Sequence, residues 1–80
     1  MIRPATPADA RAIAEVHERA LEWAEQPPEP LPRGDTLVAE IDGEVYGFVT
    51  TTEDGEAVFV DPRAQGAGLG TRLLEAARAR

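Results

Sequence analysis

The sequence predicts an α+β fold in which a mixed, mainly antiparallel sheet is flanked by helices. Three observations predict it: apolar residues at helical spacing near the N-terminus, strand-like segments joined by Asp-Gly turns, and a glycine loop that leads into a second helical segment. The predicted order is β-α-β-β-β-α, and 80 residues make one small domain. Since nothing else can cover their apolar sides, we expect both helices to pack on the sheet.

The N-terminal third is predicted to hold a short strand, a helix and an extended connector. Residues 2–4 are extended in character. A helix is expected over about 7–25, because Pro7 suits the first helical position and apolar residues recur at helical spacing from Ile13 onward. Residues 25–33 hold four of the seven prolines, which favours an extended connector over a helix or a central strand.

Three strand-like segments follow, at 36–41, 44–52 and 57–60. Asp42-Gly43 and Asp54-Gly55 predict tight hairpin turns between them, because such turns need residues that tolerate positive φ. Gly47 inside the second strand predicts a bulge or a close approach of another chain segment. The segment 57–60 is apolar on both faces, so we expect it to be a central strand. A final helix is expected from Leu69 to the end of the chain.

Composition excludes several classes of site. The absence of cysteine excludes disulfides and thiolate chemistry, and a single histidine, His17, leads us to expect no metal site. There is no apolar run near the ~18 residues that a membrane span needs. The first ten residues lack the basic and apolar regions of a signal peptide. We therefore expect a cytoplasmic protein without membrane contact.

The charge distribution is asymmetric. The net charge is −7, which argues against a nucleic-acid partner. Residues 62–80 nevertheless carry four arginines against one acid, a local charge of +3, while the rest of the chain carries −10. This basic segment fits a phosphate-bearing ligand.

The basic segment contains a glycine loop between an apolar strand and an amphipathic helix. Gly66, Gly68 and Gly70 remove side chains from the first helical turn, where open amides and the helix dipole favour an anion. Arg63 and Arg72 lie nearby in the sequence. Each could contact a phosphate or be an ordinary solvated surface residue. The spacing fits neither a P-loop nor the dinucleotide fingerprint of a βαβ unit. A tight strand–helix connection without a ligand is the plainer alternative.

The segment Val60-Asp61-Pro62-Arg63-Ala64-Gln65-Gly66-Ala67-Gly68-Leu69-Gly70 resembles the acetyl-CoA-binding motif of the GNAT N-acetyltransferases. That motif is a strand followed by Gln/Arg-x-x-Gly-x-Gly/Ala, with Val-x-Pro just upstream. Residues 2–9 are similar to the family's usual first strand and helix start, and 38–49 to its second and third strands. The resemblance covers nearly the whole chain in the family's order, so it implies the N-terminal half of a GNAT-like fold.

The resemblance implies an acetyl-CoA-dependent transfer to an amine of a small molecule or protein, without a covalent enzyme intermediate. Amides from Gly66 through Thr71 would hold the CoA pyrophosphate. The strand residues 59–61 would bond the pantetheine arm, and a backbone amide there would polarise the acetyl carbonyl. The implied cofactor-binding set is Phe59, Val60, Asp61, Gln65, Gly66, Ala67, Gly68, Leu69, Gly70, Thr71 and Arg72.

Family members continue past this helix with further strands and a helix that this chain lacks, and 25–33 replaces their second helix. Catalysis is therefore less well supported than cofactor binding. Glu56, at the start of the strand before the loop, is the candidate general base, with a hairpin-edge charge as the alternative. One competing hypothesis is a non-catalytic remnant that binds acyl-CoA or pairs with a second copy, as a homodimer, or another protein through an unpaired edge of the strand 57–60. Another is that the chain is the front part of a longer acetyltransferase.

Four further side chains have predicted environments. We expect His17 to be a partly buried structural residue at the edge of the apolar helix face. Trp23 and Phe48 are expected in the core. Tyr46 is expected on a strand, facing a helix or solvent.

Overall fold

The computed structural model describes all 80 residues and has a four-stranded antiparallel sheet with one helix on each face. This confirms the predicted α+β class and element order. Two single 3-10 turns, Pro7–Asp9 and Pro62–Ala64, precede the helices. The strands and helices are β1 (Ile2–Pro4), α1 (Ala10–Trp23), β2 (Asp35–Ile41), β3 (Glu44–Thr52), β4 (Gly55–Val60) and α2 (Leu69–Arg78).

The strands lie in chain order, β1-β2-β3-β4, and every neighbouring pair is antiparallel. The prediction that 57–60 is a central strand was therefore wrong, because β4 is an edge strand. The apolar residues on both faces of β4 have a cause other than a central position in the sheet. Phe59 packs on the α1 side of the sheet, whereas Val58 and Val60 pack on the α2 side. A helix on each face makes an edge strand apolar on both sides.

The core is divided between the two faces of the sheet. Under α1, Val16 packs with Val38, Val45 and Phe48. Phe48 is fully buried, as expected for a core residue. The core under α2 consists of Leu37, Ala39, Val49, Leu69 and Leu73. Each helix thus buries one apolar stripe, which confirms that both helices pack on the sheet.

Gly47 serves both of the purposes predicted for it. The β2–β3 register shifts between Ala39, which faces Gly47, and Glu40, which faces Val45, so Tyr46 is the extra residue of a bulge. A Cβ at Gly47 would lie 3.1 Å from the Phe59 carbonyl oxygen and 3.2 Å from Leu73 Cδ1. The missing side chain therefore lets α2 lie close to β3.

Trp23 was expected in the core, and this was wrong, because the residue is 63% exposed. Trp23 is the last residue of α1, and it borders a groove with Val58 and Val60 of β4. Since β4 is an edge strand, no further strand lies beneath the last turn of α1 to cover the indole.

Neither helix of the structure has the length and apolar character needed to cross a membrane.

Candidate functional site

The turn after β4 is held by a buried carboxylate. Asp61 is fully buried, and its side chain accepts hydrogen bonds from the Arg63 amide at 2.9 Å and from the Arg63 guanidinium at 3.0 and 3.1 Å. Arg19 of α1 donates a further bond of 3.0 Å to Asp61. Burial pushes the Asp61 pKa upward, but the bonds from Arg63 and Arg19 outweigh it and lower that pKa below its usual value.

The glycine loop turns the chain from this corner into α2. Gly66 and Gly68 have φ of +86° and +75°, in the left-handed region that favours glycine. Gly68 is the residue before the first turn of α2, and no side chain caps this helix end. A Cβ at either glycine would meet nothing within 4 Å, so the space above the loop is open.

Five backbone amides at this helix start have no hydrogen-bond partner in the chain. The first intrahelical bond is donated by the Arg72 amide to the Gly68 carbonyl oxygen at 3.2 Å. All five donors precede it. Leu69, Gly70 and Thr71 form the first turn of α2, where free amides and the positive end of the helix dipole favour an anion. The five amides are those of Gly66, Gly68, Leu69, Gly70 and Thr71.

These amides border a cleft of about 540 Å³ between the loop and the open edge of β4. Gly70 lies at its floor, where a Cβ would be 3.8 Å from Val60 and 3.9 Å from Val58. The cleft is lined by Val58, Val60, Ala64, Gln65, Gly66, Gly68, Leu69, Gly70 and Thr71.

The hydrogen-bond alternation of β4 decides which backbone groups face this cleft. The Asp61 amide donates to the Tyr46 carbonyl oxygen at 2.7 Å, and Phe59 faces Phe48 two residues earlier in the register. In an antiparallel pair every second residue bonds to the partner strand, as Asp61 and Phe59 do. The residues between them point their amide and carbonyl groups away from the partner strand. Val58 and Val60 therefore present their backbone groups at the open edge, and Gln65 Nε2 donates to the Val60 carbonyl oxygen at 3.3 Å.

The two arginines on either side of the glycine loop, Arg63 and Arg72, have different surroundings. Arg63 is paired with Asp61, and its guanidinium lies over the Tyr46 ring at 5.1 Å from the ring centre. Tyr46 is half-buried, as expected for a strand residue facing this side. Arg72 is exposed and forms no ion pair. Of the two, Arg72 is the cation available to an anion at the helix start.

Comparison with known families identifies this arrangement. A model of the acetyltransferase (GNAT) domain matches residues 32–80, which is more than half of the chain. The chain belongs to the GNAT acetyltransferase family. No curated protein matches the chain. The matched span begins in the proline-rich connector and includes β2, β3, β4, the glycine loop and α2.

Most of the predicted GNAT site residues meet in the cleft, and the rest do not. Ala67 and Arg72 are exposed and do not line it, whereas Phe59 faces α1 and the Asp61 side chain is buried. Val58 was missed as a lining residue, although the period-2 alternation with Val60 places the two on one face. The predicted residues that line the cleft are Val60, Gln65, Gly66, Gly68, Leu69, Gly70 and Thr71.

Glu56 lies on the same face of β4 as Val58 and Val60, at the end of the strand away from the glycine loop. Its carboxylate accepts a 2.8 Å hydrogen bond from Arg78 Nε near the end of α2. No group of three or more acidic or histidine side chains in the chain is arranged to hold a metal ion.

Proposed function

We propose that this GNAT chain binds acetyl-CoA in the cleft beside β4 and transfers the acetyl group to an amine. The observation that carries the proposal is the set of five unpaired amides at the start of α2, next to outward-facing backbone groups of β4. An anion-binding helix start beside an open strand edge suits a ligand that joins a pyrophosphate to an amide-containing arm.

Three parts of the ligand have proposed partners at the cleft. The pyrophosphate accepts hydrogen bonds from the loop amides, with Arg72 as the nearby cation. The pantetheine amides pair with the backbone of Val58 and Val60 as an added strand would. An outward amide of β4 donates to the acetyl carbonyl oxygen as negative charge develops there.

The reaction is a direct acyl transfer. The neutral amine attacks the thioester carbonyl carbon, the carbon–sulfur bond breaks, and CoA leaves as its thiolate. The proton lost by the amine passes to a base, for which Glu56 is the proposed residue. The products are an N-acetyl amine and free CoA. The cytoplasmic location expected from the sequence stays a prediction.

Thermal unfolding tests the binding step. We expect acetyl-CoA and CoA to raise the melting temperature, and S-acetylpantetheine, which lacks the pyrophosphate, to raise it much less. Release of free thiol on addition of an amine then tests the transfer. No thermal shift with millimolar acetyl-CoA would refute the proposal.

The open edge of β4 favours one alternative, a non-catalytic module that binds acyl-CoA and pairs with a second copy. The outward amides of Val58 and Val60 and the Val58 carbonyl are a template for strand addition, while Gln65 bonds to the Val60 carbonyl oxygen. Light scattering after gel filtration, together with the thiol-release assay, distinguishes the proposed acetyltransferase from this alternative. A monomer that releases thiol excludes the alternative, and a dimer that binds CoA without turnover establishes it.

A further inference from the structure

Two concave regions adjoin on the α1 side of β4, each of about 350 Å³. The outer region runs along the open edge of β4 and shares Val58, Val60 and Gln65 with the acetyl-CoA cleft. The inner region lies against α1. We call the two together the acidic groove; they share three bordering residues, Leu21, Gln26 and Glu29. The acidic groove therefore extends from residues that also line the acetyl-CoA cleft, at the open edge of β4, to α1.

The inner region is strongly acidic. Glu18, Glu22 and Glu29 line it, and no arginine does. Glu18 and Glu22 form no ion pair in the structure, although most other glutamates of α1 and the sheet lie beside arginines. Three carboxylates that no arginine pairs with create a negative potential in a concave site, where this potential is screened less than on a convex surface.

A buried histidine supplies an observation independent of the acidic cluster. His17 lines the inner region and is only 5% exposed, and its Nε2 atom has no hydrogen-bond partner. This atom lies 3.8 Å from Glu29 Oε1, and the imidazole packs edge-on against Phe59 with ring centres 4.7 Å apart. Buried polar atoms are nearly always paired, so an unpaired one at a concave site points to a missing ligand.

The outer region offers a third feature that suits a cation. The exposed indole of Trp23 borders it together with Glu29. Aromatic faces attract ammonium groups, and a carboxylate beside the ring adds to this attraction. The exposed Trp23 indole is therefore placed where it can contact an ammonium group in the outer region.

We propose that the acidic groove selects a small acceptor with a second positive charge, such as a diamine. The proposal rests on the proposed acetyl transfer and names its acceptor class. The amine that reacts lies at the open edge of β4 beside the acetyl group. The other ammonium stays protonated, is bound by Glu22 and Glu29, and donates a hydrogen bond to His17 Nε2.

The first test compares three probes of equal chain length in the unmodified chain by NMR titration. Putrescine carries an ammonium at its far end, n-butylamine a methyl group and γ-aminobutyrate a carboxylate. We expect putrescine to bind about tenfold more tightly than n-butylamine, and γ-aminobutyrate to bind most weakly, as electrostatic complementarity requires. Since His17 is the single histidine, its imidazole signals report directly on the inner region.

The second test uses matched glutamine substitutions of exposed glutamates on or near α1. Glu22→Gln and Glu29→Gln should each reduce the preference for putrescine over n-butylamine, whereas Glu15→Gln should leave it unchanged. Glu15 is the control because it lies on α1 but pairs with Arg19, outside the acidic groove. Raising the salt concentration should shrink the preference in the unmodified chain.

Equal affinity for putrescine and n-butylamine, or unmoved His17 signals on putrescine binding, would overturn the inference. Failure of the proposed function shows separately, as loss of the thermal shift with acetyl-CoA. If acetyl-CoA binds normally but putrescine is not preferred, the diamine acceptor is rejected and the proposed acetyl-CoA binding is kept.

Discussion

Arg19 Nη1 lies 3.0 Å from Asp61 Oδ2, an ion pair that joins α1 to the corner before the glycine loop across 42 residues of sequence. Asp61 is fully buried, and Arg63 holds it from the other side through both its amide and its guanidinium. This ion pair therefore links the position of the proposed pyrophosphate site to α1, on the other face of the sheet from α2.

We predict that Asp61→Asn destabilises the fold and weakens acetyl-CoA binding. The substitution removes charge-assisted bonds worth about 1–3 kcal/mol and releases the turn that leads into the loop. Urea unfolding gives the stability, and calorimetric titration at low temperature, where the variant is folded, gives the affinity.

Asp9→Asn is the matched control for this variant. Asp9 is also buried and accepts two hydrogen bonds from Arg3, but it lies at the start of α1, away from the cleft. We expect a comparable loss of stability with unchanged acetyl-CoA affinity. Equal loss of affinity in both variants would contradict a specific link between Asp61 and the loop.

Acid should destabilise the protein through the same two carboxylates. The bonds from Arg3 and the Thr6 amide hold the pKa of Asp9 well below its usual range, and those from Arg63 and Arg19 lower the pKa of Asp61. The unfolded chain therefore takes up protons at higher pH than the folded chain, and this contribution to stability is lost as pH falls below about 4–5. The urea concentration at the unfolding midpoint should decrease as the pH is lowered below about 4–5. In the double variant Asp9→Asn, Asp61→Asn this decrease should be smaller.

Gly68→Ala tests the open loop. With φ of +75°, alanine costs about 1–2 kcal/mol at this position, and its Cβ projects into the space beside the free amides. We expect reduced acetyl-CoA affinity in addition to the loss of stability. Gly43→Ala has nearly the same φ, +81°, and equally open space, but lies in the β2–β3 hairpin turn. It should lose similar stability and keep its affinity; a similar loss of affinity in both would argue against the loop as the binding site.

Glu56→Gln tests the proposed base. We expect the rate of acetyl transfer to fall about 100-fold, within the usual range for loss of a general base, with acetyl-CoA binding unchanged. Arg78→Gln breaks the same ion pair but keeps the carboxylate, so its transfer rate should stay near that of the unmodified chain. Undiminished transfer in Glu56→Gln would leave Glu56 as a hairpin-edge charge.

Local patterns were sufficient to predict most of the fold. Three features depend only on residues close together in the sequence, so they could be predicted from it: the Asp-Gly turns, the apolar spacing of α1 and the glycines of the loop. The apolar pattern of 57–60 did not place β4 at the sheet edge, because an edge strand covered by two helices has the same pattern as a central strand. The exposure of Trp23 follows from that same edge and was missed with it.

The sequence by itself determined the order of elements, the need for a bulge or a close approach at Gly47, and the loop whose amides cannot bond within α2, since each depends on backbone conformation over a few residues. Only the tertiary structure decided which backbone groups of β4 face outward, that Arg63 is bound to Asp61 while Arg72 is free, and that His17, Trp23 and Glu29 border one groove. These relationships join residues far apart in the chain. They depend on strand register and helix packing, which the burial of the whole core determines.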